Sequence, residues 1–320
     1  MAIVRPITQT SARPRESRKL FKRVRRHWQL YVLLLLPIIY LLVFHYWPMY
    51  GVQIAFRNYN PIKGFLGSPW VGLDHFERFF NTYDFVRTLR NTLVLSVYSL
   101  VAGFPFPILL ALGLHYTARK WFKNSVQMVA YAPYFISVVV MSGMILQFLA
   151  PNTGFINHFR NLFGLPDLNF MARPELFPHI YVWSGIWQTV GFACVIYVAA
   201  LSGVDTTLHE AAIIDGASKV QRMWHIDLPE IMPLAILLLV LSLGGILSSG
   251  FEKILLLQNP LNLRTSEVID TYVYRVGLVS AIPNFSYATA IGLFKSVVGL
   301  VLVIVANQVA SRFGRSSNVY

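Results

Sequence analysis

The sequence has little cysteine and little charge. Its 320 residues include one cysteine, Cys194, and only 13% are Asp, Glu, Lys or Arg. One thiol cannot form a disulfide within the chain and is too few for a cysteine-based metal site. Soluble domains are about a quarter charged, whereas here the charged share is half of that and 55% of the residues are hydrophobic. This composition disfavours a soluble enzyme and favours a membrane protein.

Acidic residues are the scarcer of the two charge types. There are 14 of them against 27 Lys and Arg, for a net charge of +13. Such an excess is typical of nucleic-acid binding or of anchoring at the inner face of a membrane. Nine cations and one acid fall within residues 1–29, directly before an apolar segment. We therefore predict a basic cytoplasmic segment over 1–29, with a short surface helix from Ser17 to Trp28, rather than a nucleic-acid-binding arm.

Several motifs of catalysis are also missing. The sequence contains no G-x-x-x-x-G-K-[ST] loop for the phosphates of ATP, no His-Glu-x-x-His and no Gly-x-Ser-x-Gly. No pair of acids lies within an apolar segment. A membrane enzyme is therefore disfavoured, and any ATP that drives this protein must bind to another chain.

Six long apolar segments dominate the rest of the sequence. A helix needs about 20 apolar residues to cross the hydrocarbon layer, and all six meet or approach that length. The fold class predicted is an all-α membrane protein with six transmembrane helices. The segments are Leu30–Trp47, Asn91–Leu114, Val126–Leu149, Ile180–Leu201, Pro233–Leu257 and Ala288–Ala310.

The positions of Lys and Arg predict the orientation. With the N-terminus in the cytoplasm, sixteen cations fall on the inside and ten, Lys253 among them, on the outside. Because the inside segments are also shorter, both termini are expected in the cytoplasm. The predicted organisation is a basic segment 1–29, a six-span domain 30–311 and a cytoplasmic tail 312–320.

The inner loop 204–232, between the fourth and fifth spans, differs from the other loops. Its pattern predicts a helix–turn–helix on the cytoplasmic face, which either docks a partner or only bridges two spans. The first helix is predicted over Leu208–Ile214, with an N-cap at Asp205. A turn at Gly216 leads to a second short helix over Ala217–Ile226. That helix is predicted to end at Leu228-Pro229, because the residue before a proline disfavours helix.

The same loop resembles the EAA loop of binding-protein-dependent ABC importer permeases. The matching positions are Glu210, Ala211, Ala212, Asp215, Gly216, Ile226, Leu228 and Pro229. Further similarity lies at Trp70–Phe76, Asp270–Arg275 and Phe285–Ala290, and Tyr50–Phe56 resembles the polysaccharide and oligosaccharide branch of the family. The resemblance covers about residues 30–310.

The resemblance implies a type I ABC importer transmembrane domain in the cytoplasmic membrane of a bacterium. Its EAA loop would be a coupling helix seated in a cleft of a separate ATPase subunit, which would hold ATP and magnesium. The expected partners are a second, different permease, two ATPase subunits and an extracytoplasmic solute-binding protein. The expected cargo is an oligosaccharide or polysaccharide fragment, with alginate or another polyuronate as one candidate.

Five side chains are candidates for lining a substrate path, and each also has a structural explanation. Aromatic and amide groups suit sugar rings, but they also anchor or join helices. A cation at membrane depth, Lys295, is costly and often functional, but it can also snorkel or pair with a neighbour. The candidates are Gln147, Trp187, Gln188, Tyr197 and Lys295.

A second hypothesis is a stand-alone secondary transporter or channel that uses Lys295 in ion or proton coupling. Many secondary transporters carry internal repeats, and the sequence shows no convincing one.

Overall fold

The computed structural model describes residues 26–245, 247 and 250–316, with the side chains of the last helix followed only to 305 and at 308. Residues 1–25 of the predicted basic segment and residues 317–320 of the predicted tail therefore lie outside the described residues. The chain divides into two units, the first ending at Gln53 and the second beginning at Ile54.

The first unit contains the first apolar segment. Helix α1, Trp28–Leu41, continues through a π-helical turn at Leu42–Tyr46 and one α-turn into a 3-10 helix at Tyr50–Phe56. No side chain of α1 is buried. A helix that is apolar on all sides and unburied is what a bilayer-facing span requires.

Among its described residues, the second unit consists of helices joined by turns and loops, with an isolated β-bridge between Arg57 and Trp70. Its main helices, in chain order, are α2 (Asp74–Phe80), α3 (Tyr83–Gly103), α4 (Pro105–His115), α5 (Lys120–Tyr131), α6 (Val138–Phe148), α7 (Phe155–Asn161), α8 (Phe177–Leu201), α9 (Thr206–Ile214), α10 (Lys219–Arg222), α11 (Leu228–Gly244), α12 (Phe251–Leu257), α13 (Leu263–Ser266), α14 (Ile269–Tyr274) and α15 (Phe285–Ser316).

Helix α8 lies at the centre of the second unit. It packs against α3, α4, α5 and α11, and its buried side chains belong to two of the three hydrophobic clusters. A Cβ at Gly191 would lie 1.9 Å from the Ala130 carbonyl oxygen of α5. The two helices therefore touch backbone to backbone at this glycine.

Among the described residues, five helical runs are long and apolar enough to cross a membrane, or six if one bent pair counts as a single span. This agrees with the all-α prediction but corrects the third segment, which is not one straight helix. The runs Lys120–Phe135 and Val138–Phe148 meet at an angle of 101°. Ser137 starts the second run, its side chain accepting a hydrogen bond from the backbone N–H of Val140, so the chain can restart a helix in a new direction.

The prediction of one helix over Pro233–Leu257 is also wrong. Helix α11 ends at Gly244, and α12 begins only at Phe251. Gly250, directly before α12, has φ +59°, a left-handed conformation that glycine adopts without strain.

The predicted helix end at Leu228-Pro229 is wrong as well. A π-helical turn at Met223–Asp227 joins α10 directly to α11, and Pro229 lies in the first turn of α11. Because this proline lies within a continuous helical run, it cannot donate to the carbonyl oxygen four residues earlier. The π-helical turn directly before it is the kind of local adjustment that accommodates such a proline. The second short helix of the inner loop and the fifth span are therefore one continuous run, Lys219–Gly244.

Candidate functional site

A cavity of about 970 Å³ lies between α3, α4, α8, α11 and α12. Most of its lining is apolar, which is usual for a small-molecule site that holds a few placed polar groups. Those groups are Ser99, Tyr181, Gln188, Thr189, Tyr197, Ser242, Glu252 and Lys253.

Lys253 is the cation of this lining. It is 7% exposed, its Nζ donates to the Tyr181 carbonyl oxygen at 3.2 Å, and it lies 5.3 Å from the centre of the Tyr181 ring. The left-handed Gly250 starts the helix that carries Lys253, and a Cβ there would meet the Tyr181 hydroxyl at 2.0 Å. The break between α11 and α12 thus brings an ammonium to the cavity wall.

The sequence prediction placed Lys253 among the outer-loop cations and did not single it out. A signal was available, because Lys253 lies inside the predicted fifth apolar segment, where a cation is costly. The sequence pattern did not predict the helix break that places the Lys253 side chain at the cavity.

Two of the five path candidates line the cavity. Tyr197 is almost fully buried, and Gln188 donates from Nε2 to the Ile136 carbonyl oxygen at 3.0 Å, just before the bend in the third segment. Trp187 lies instead in an apolar groove between α4, α5 and α8. Gln147 is exposed near the end of α6.

Lys295, the fifth candidate, forms an ion pair. Its Nζ contacts both carboxylate oxygens of Asp270, at 2.6 and 2.7 Å, and both side chains are mostly buried. The pair joins α14 to α15. This cation therefore has a structural partner from the same chain.

The inner loop has the turn geometry that its sequence predicts. Asp205 caps α9, its carboxylate accepting from the Thr207 N–H at 2.9 Å, and this hydrogen bond lowers the pKa of the Asp205 carboxyl. Gly216 follows α9 with φ +78°. Ser218 and Gln221 then form a capping box at the start of α10.

Much of this loop is exposed, including Glu210, Ala211, Asp215 and Gly216. Ala212 and Ile226 are partly buried. Large apolar side chains are exposed beside them: Leu208, Ile213, Ile214, Val220 and Trp224. An exposed apolar patch with a polar rim is typical of a protein-binding surface.

The base of the loop is polar and buried. Asp227, with no exposed surface, accepts from the Tyr116 hydroxyl at 2.5 Å and lies 3.1 Å from Nε2 of His209. Burial and, next, this hydrogen bond raise the pKa of the Tyr116 hydroxyl. The contacts join the end of α4, helix α9 of the inner loop and the π-helical turn before α11.

A second buried network lies in the segment before α14. Glu267 is fully buried and pairs with Arg87 and with Arg275, whose Nε is 2.7 Å from its carboxylate. Asn91 donates to the carbonyl oxygens of Arg264 and Glu267 at 3.0 and 2.9 Å. These contacts fix α3 against the segment from α13 to α14.

Comparison with known proteins identifies the family. A model described as "binding-protein-dependent transport system inner membrane component" matches residues 103–315, two thirds of the chain. The chain belongs to this family. The permease is therefore a transport subunit whose ATPase is a separate chain, which sets aside the stand-alone secondary transporter.

Individual relatives agree with this assignment. The permease is 43% identical over 300 residues to the polygalacturonan/rhamnogalacturonan transport system permease protein YteP of Bacillus subtilis, covering 94% of this chain and 92% of that one. A crystal structure of a bacterial ABC transporter involved in import of the acidic polysaccharide alginate is similar with a TM-score of 0.85 and 42% identity, over 92% of this chain and 99% of that one. A second alginate transporter structure, in complex with a pentasaccharide-bound periplasmic protein, gives a TM-score of 0.84 and 42% identity over 92% and 98%.

Proposed function

We propose that this permease belongs to an importer of acidic oligosaccharides, the uronate-containing fragments of a polysaccharide. Lys253 carries the proposal. A buried ammonium without a counter-charge is expensive, and a carboxylate that pairs with it offsets the cost. An ammonium has three N–H donors, and the Tyr181 carbonyl oxygen uses one. The cavity volume of about 970 Å³ suits a short saccharide rather than an ion.

Glu252 also lines the cavity, so the cavity lining carries one negative charge beside the positive charge of Lys253. Glu252 is exposed whereas Lys253 is buried. Because electrostatic interactions strengthen as water is excluded, the buried cation dominates at short range. The functions of the relatives, alginate import and polygalacturonan/rhamnogalacturonan transport, support the same cargo class.

The test is substrate-stimulated ATPase activity of the reconstituted importer with its binding protein. A charge-assisted hydrogen bond contributes about 1.5–3 kcal/mol. We therefore expect Lys253→Gln to raise the half-saturating concentration of a uronate oligomer roughly 10- to 100-fold. Lys253→Arg keeps the positive charge and should raise the half-saturating concentration much less.

Two controls make the result specific. A carboxyl-reduced oligomer of the same length should show no such loss in Lys253→Gln, and Lys63→Gln, at an exposed lysine, should behave like the wild type. An equal loss on the charged and reduced oligomers would contradict carboxylate recognition by Lys253.

The topology proposed is six spans with both termini in the cytoplasm, the bent third pair counting as one span. The Lys and Arg distribution supports this orientation, which places the inner loop on the cytoplasmic side. The assembly proposed is this permease with a second, different permease, two ATPase subunits that hold ATP and magnesium, and an extracytoplasmic binding protein, in the inner membrane of a bacterium. A periplasmic protein bound to a related transporter supports the last partner.

We assign coupling to the inner loop. Glu210, Ala211 and Ala212 on α9 would contact the ATPase, and Asp215 with Gly216 would form the turn that holds α9 at a fixed angle. Ile226, Leu228 and Pro229 would transmit movement into α11, because the π-helical turn makes them part of the fifth span. The exposed apolar surface of the loop supports a docked partner.

Replacing Glu210 by Ala together with Gly216 by Pro tests this role. Proline cannot adopt φ +78° and would remove the Gly216 N–H that donates to the Ile213 carbonyl oxygen. We expect substrate stimulation of ATP hydrolysis to be lost while the permease still inserts.

Gly164 offers a matched control. It has φ +71°, is exposed, and donates to the carbonyl oxygen three residues earlier, at Asn161, as Gly216 does to Ile213. Gly164→Pro should keep the stimulation. Normal stimulation in the Glu210/Gly216 variant would count against the coupling role.

A further inference from the structure

The base of the inner loop holds a group of three side chains of the types that bind metal ions. His115 is the last residue of α4, His209 lies on α9, and Asp227 ends the π-helical turn before α11. Their ligand atoms all lie within 4.8 Å of one another. Three separate elements thus bring one ligand atom each into the same small region.

The contact between His209 and Asp227 is close but poorly hydrogen-bonded. Nε2 of His209 and Oδ1 of Asp227 are 3.1 Å apart. Both atoms are buried, and neither has a hydrogen bond of acceptable geometry. Ligands at 2.0–2.1 Å from a tetrahedral Zn²⁺ lie roughly 3.3 Å from each other, so the observed spacing is close to that of two ligands of one ion.

The surroundings provide support for such a site. Ligating carboxylates are commonly held by an outer hydrogen bond, and the Tyr116 hydroxyl donates to Oδ2 of Asp227, leaving Oδ1 toward His209. The ring centres of His115 and His209 are 6.2 Å apart. Arg222, whose guanidinium lies 5.9 Å from the centre of the Tyr116 ring, adds positive charge nearby and weakens cation binding.

We propose that His115, His209 and Asp227 form a binding site for a divalent transition metal of the Zn²⁺ type. Two imidazoles select a borderline metal over Mg²⁺ or Ca²⁺. Three protein ligands leave a fourth tetrahedral position for water. A bound ion would cross-link the coupling helix α9 to the end of α4 and the start of the fifth span, and so restrain the movement of the inner loop.

The test is metal titration of the purified importer, carrying an affinity tag without histidines and stripped of metal with a chelator. Tetrahedral Co²⁺ absorbs visible light, so Co²⁺ titration reports both stoichiometry and geometry, and added Zn²⁺ should abolish the absorption. We expect one equivalent of Co²⁺ for each copy of this permease in the importer. His209→Gln and His115→Gln should each weaken binding at least tenfold, and Tyr116→Phe about tenfold through the outer shell.

His225 is the matched control. It lies on the same loop, is exposed, and its Nδ1 bonds to the Gln221 carbonyl oxygen. His225→Gln should bind Co²⁺ as the wild type does, and the difference between variants separates this site from cations held by partner subunits. Because Asp227 is fully buried, its replacement risks misfolding, so the half-buried His115 provides the second variant. Equal Co²⁺ binding by the wild type and His209→Gln, or no stoichiometric Co²⁺ binding by the wild type, would overturn the proposal. The contact between His209 and Asp227 would then be an ion pair and not part of a metal site.

Discussion

At the scale of single residues, the buried and mostly buried charges of the described residues differ in what they contact. Glu267 and Asp270 have cationic partners. Lys253 has a carbonyl oxygen and an aromatic ring instead. Removing one member of a buried pair leaves an uncompensated charge, which strongly lowers the stability of the fold.

Glu267→Gln should destabilise the folded permease by about 3–5 kcal/mol, the usual cost of removing one member of a buried ion pair. The reason is that Arg87 and Arg275 would then face a neutral amide. Thermal unfolding of the purified importer measures the effect. Glu175→Gln is the control, because Glu175 forms only a 4.0 Å exposed contact with Arg264 and such pairs contribute about 0–1 kcal/mol. Equal unfolding temperatures for the two variants would contradict the buried role of Glu267.

A double-mutant cycle tests the Lys295–Asp270 ion pair. Lys295→Gln and Asp270→Asn should each lower stability and transport, because each leaves one mostly buried charge unpaired. The double variant should recover part of the loss, with a coupling of about 1–3 kcal/mol in thermal unfolding. If the double variant folds normally but transports no better than Lys295→Gln, Lys295 acts in transport beyond its ion pair.

At the scale of helices, the packing of α8 on α5 depends on one small residue. Gly191→Ala would place a Cβ 1.9 Å from the Ala130 carbonyl oxygen, a contact that only a shift of backbone can relieve. We expect a loss of stability of about 1–3 kcal/mol, as for other overpacked sites, measured by thermal unfolding. Gly113→Ala, on a helix face where a Cβ meets nothing within 4 Å, should be neutral or slightly stabilising. A Gly191→Ala variant as stable as Gly113→Ala would exclude close packing at this crossing.

Two of the predicted apolar segments are interrupted in the part of the chain that the structure describes. The bend before Ser137 places the Ile136 carbonyl oxygen next to Gln188, and the break before Gly250 directs Lys253 to the cavity. Irregular backbone at membrane depth is tolerated where it is covered by protein or lines a cavity. The first break therefore supplies a hydrogen-bond partner to Gln188, which lines the cavity, and the second supplies a cation of the cavity lining.

At the scale of the whole molecule, the exposed apolar surface of the inner loop predicts obligate partners. Native mass spectrometry of the gently extracted importer should find this permease with one different permease and two ATPase chains. The physical reason is that Ile213, Ile214 and Trp224 are exposed in this chain and a docked partner would cover them. Recovery of the chain alone in a form that still transports would contradict the assembly.

The sequence determined the membrane class, the number of apolar segments and the inner loop. These follow from local rules: length for the spans, and capping and glycine geometry for the turns at Asp205 and Gly216. The EAA spacing also led to the family, because its matching positions lie within 20 residues of one another. The coupling roles of those positions remain predictions.

Only the tertiary structure decided which polar residues meet. Hydropathy treats Val126–Leu149 and Pro233–Leu257 as uniform apolar segments, so it cannot locate a 101° bend or a left-handed glycine within them. The pairing of Lys295 with Asp270 and the placement of Lys253 on the cavity depend on contacts between residues 25 and 72 positions apart. Local propensity fixed the helices, and long-range packing fixed the direction in which each charge points.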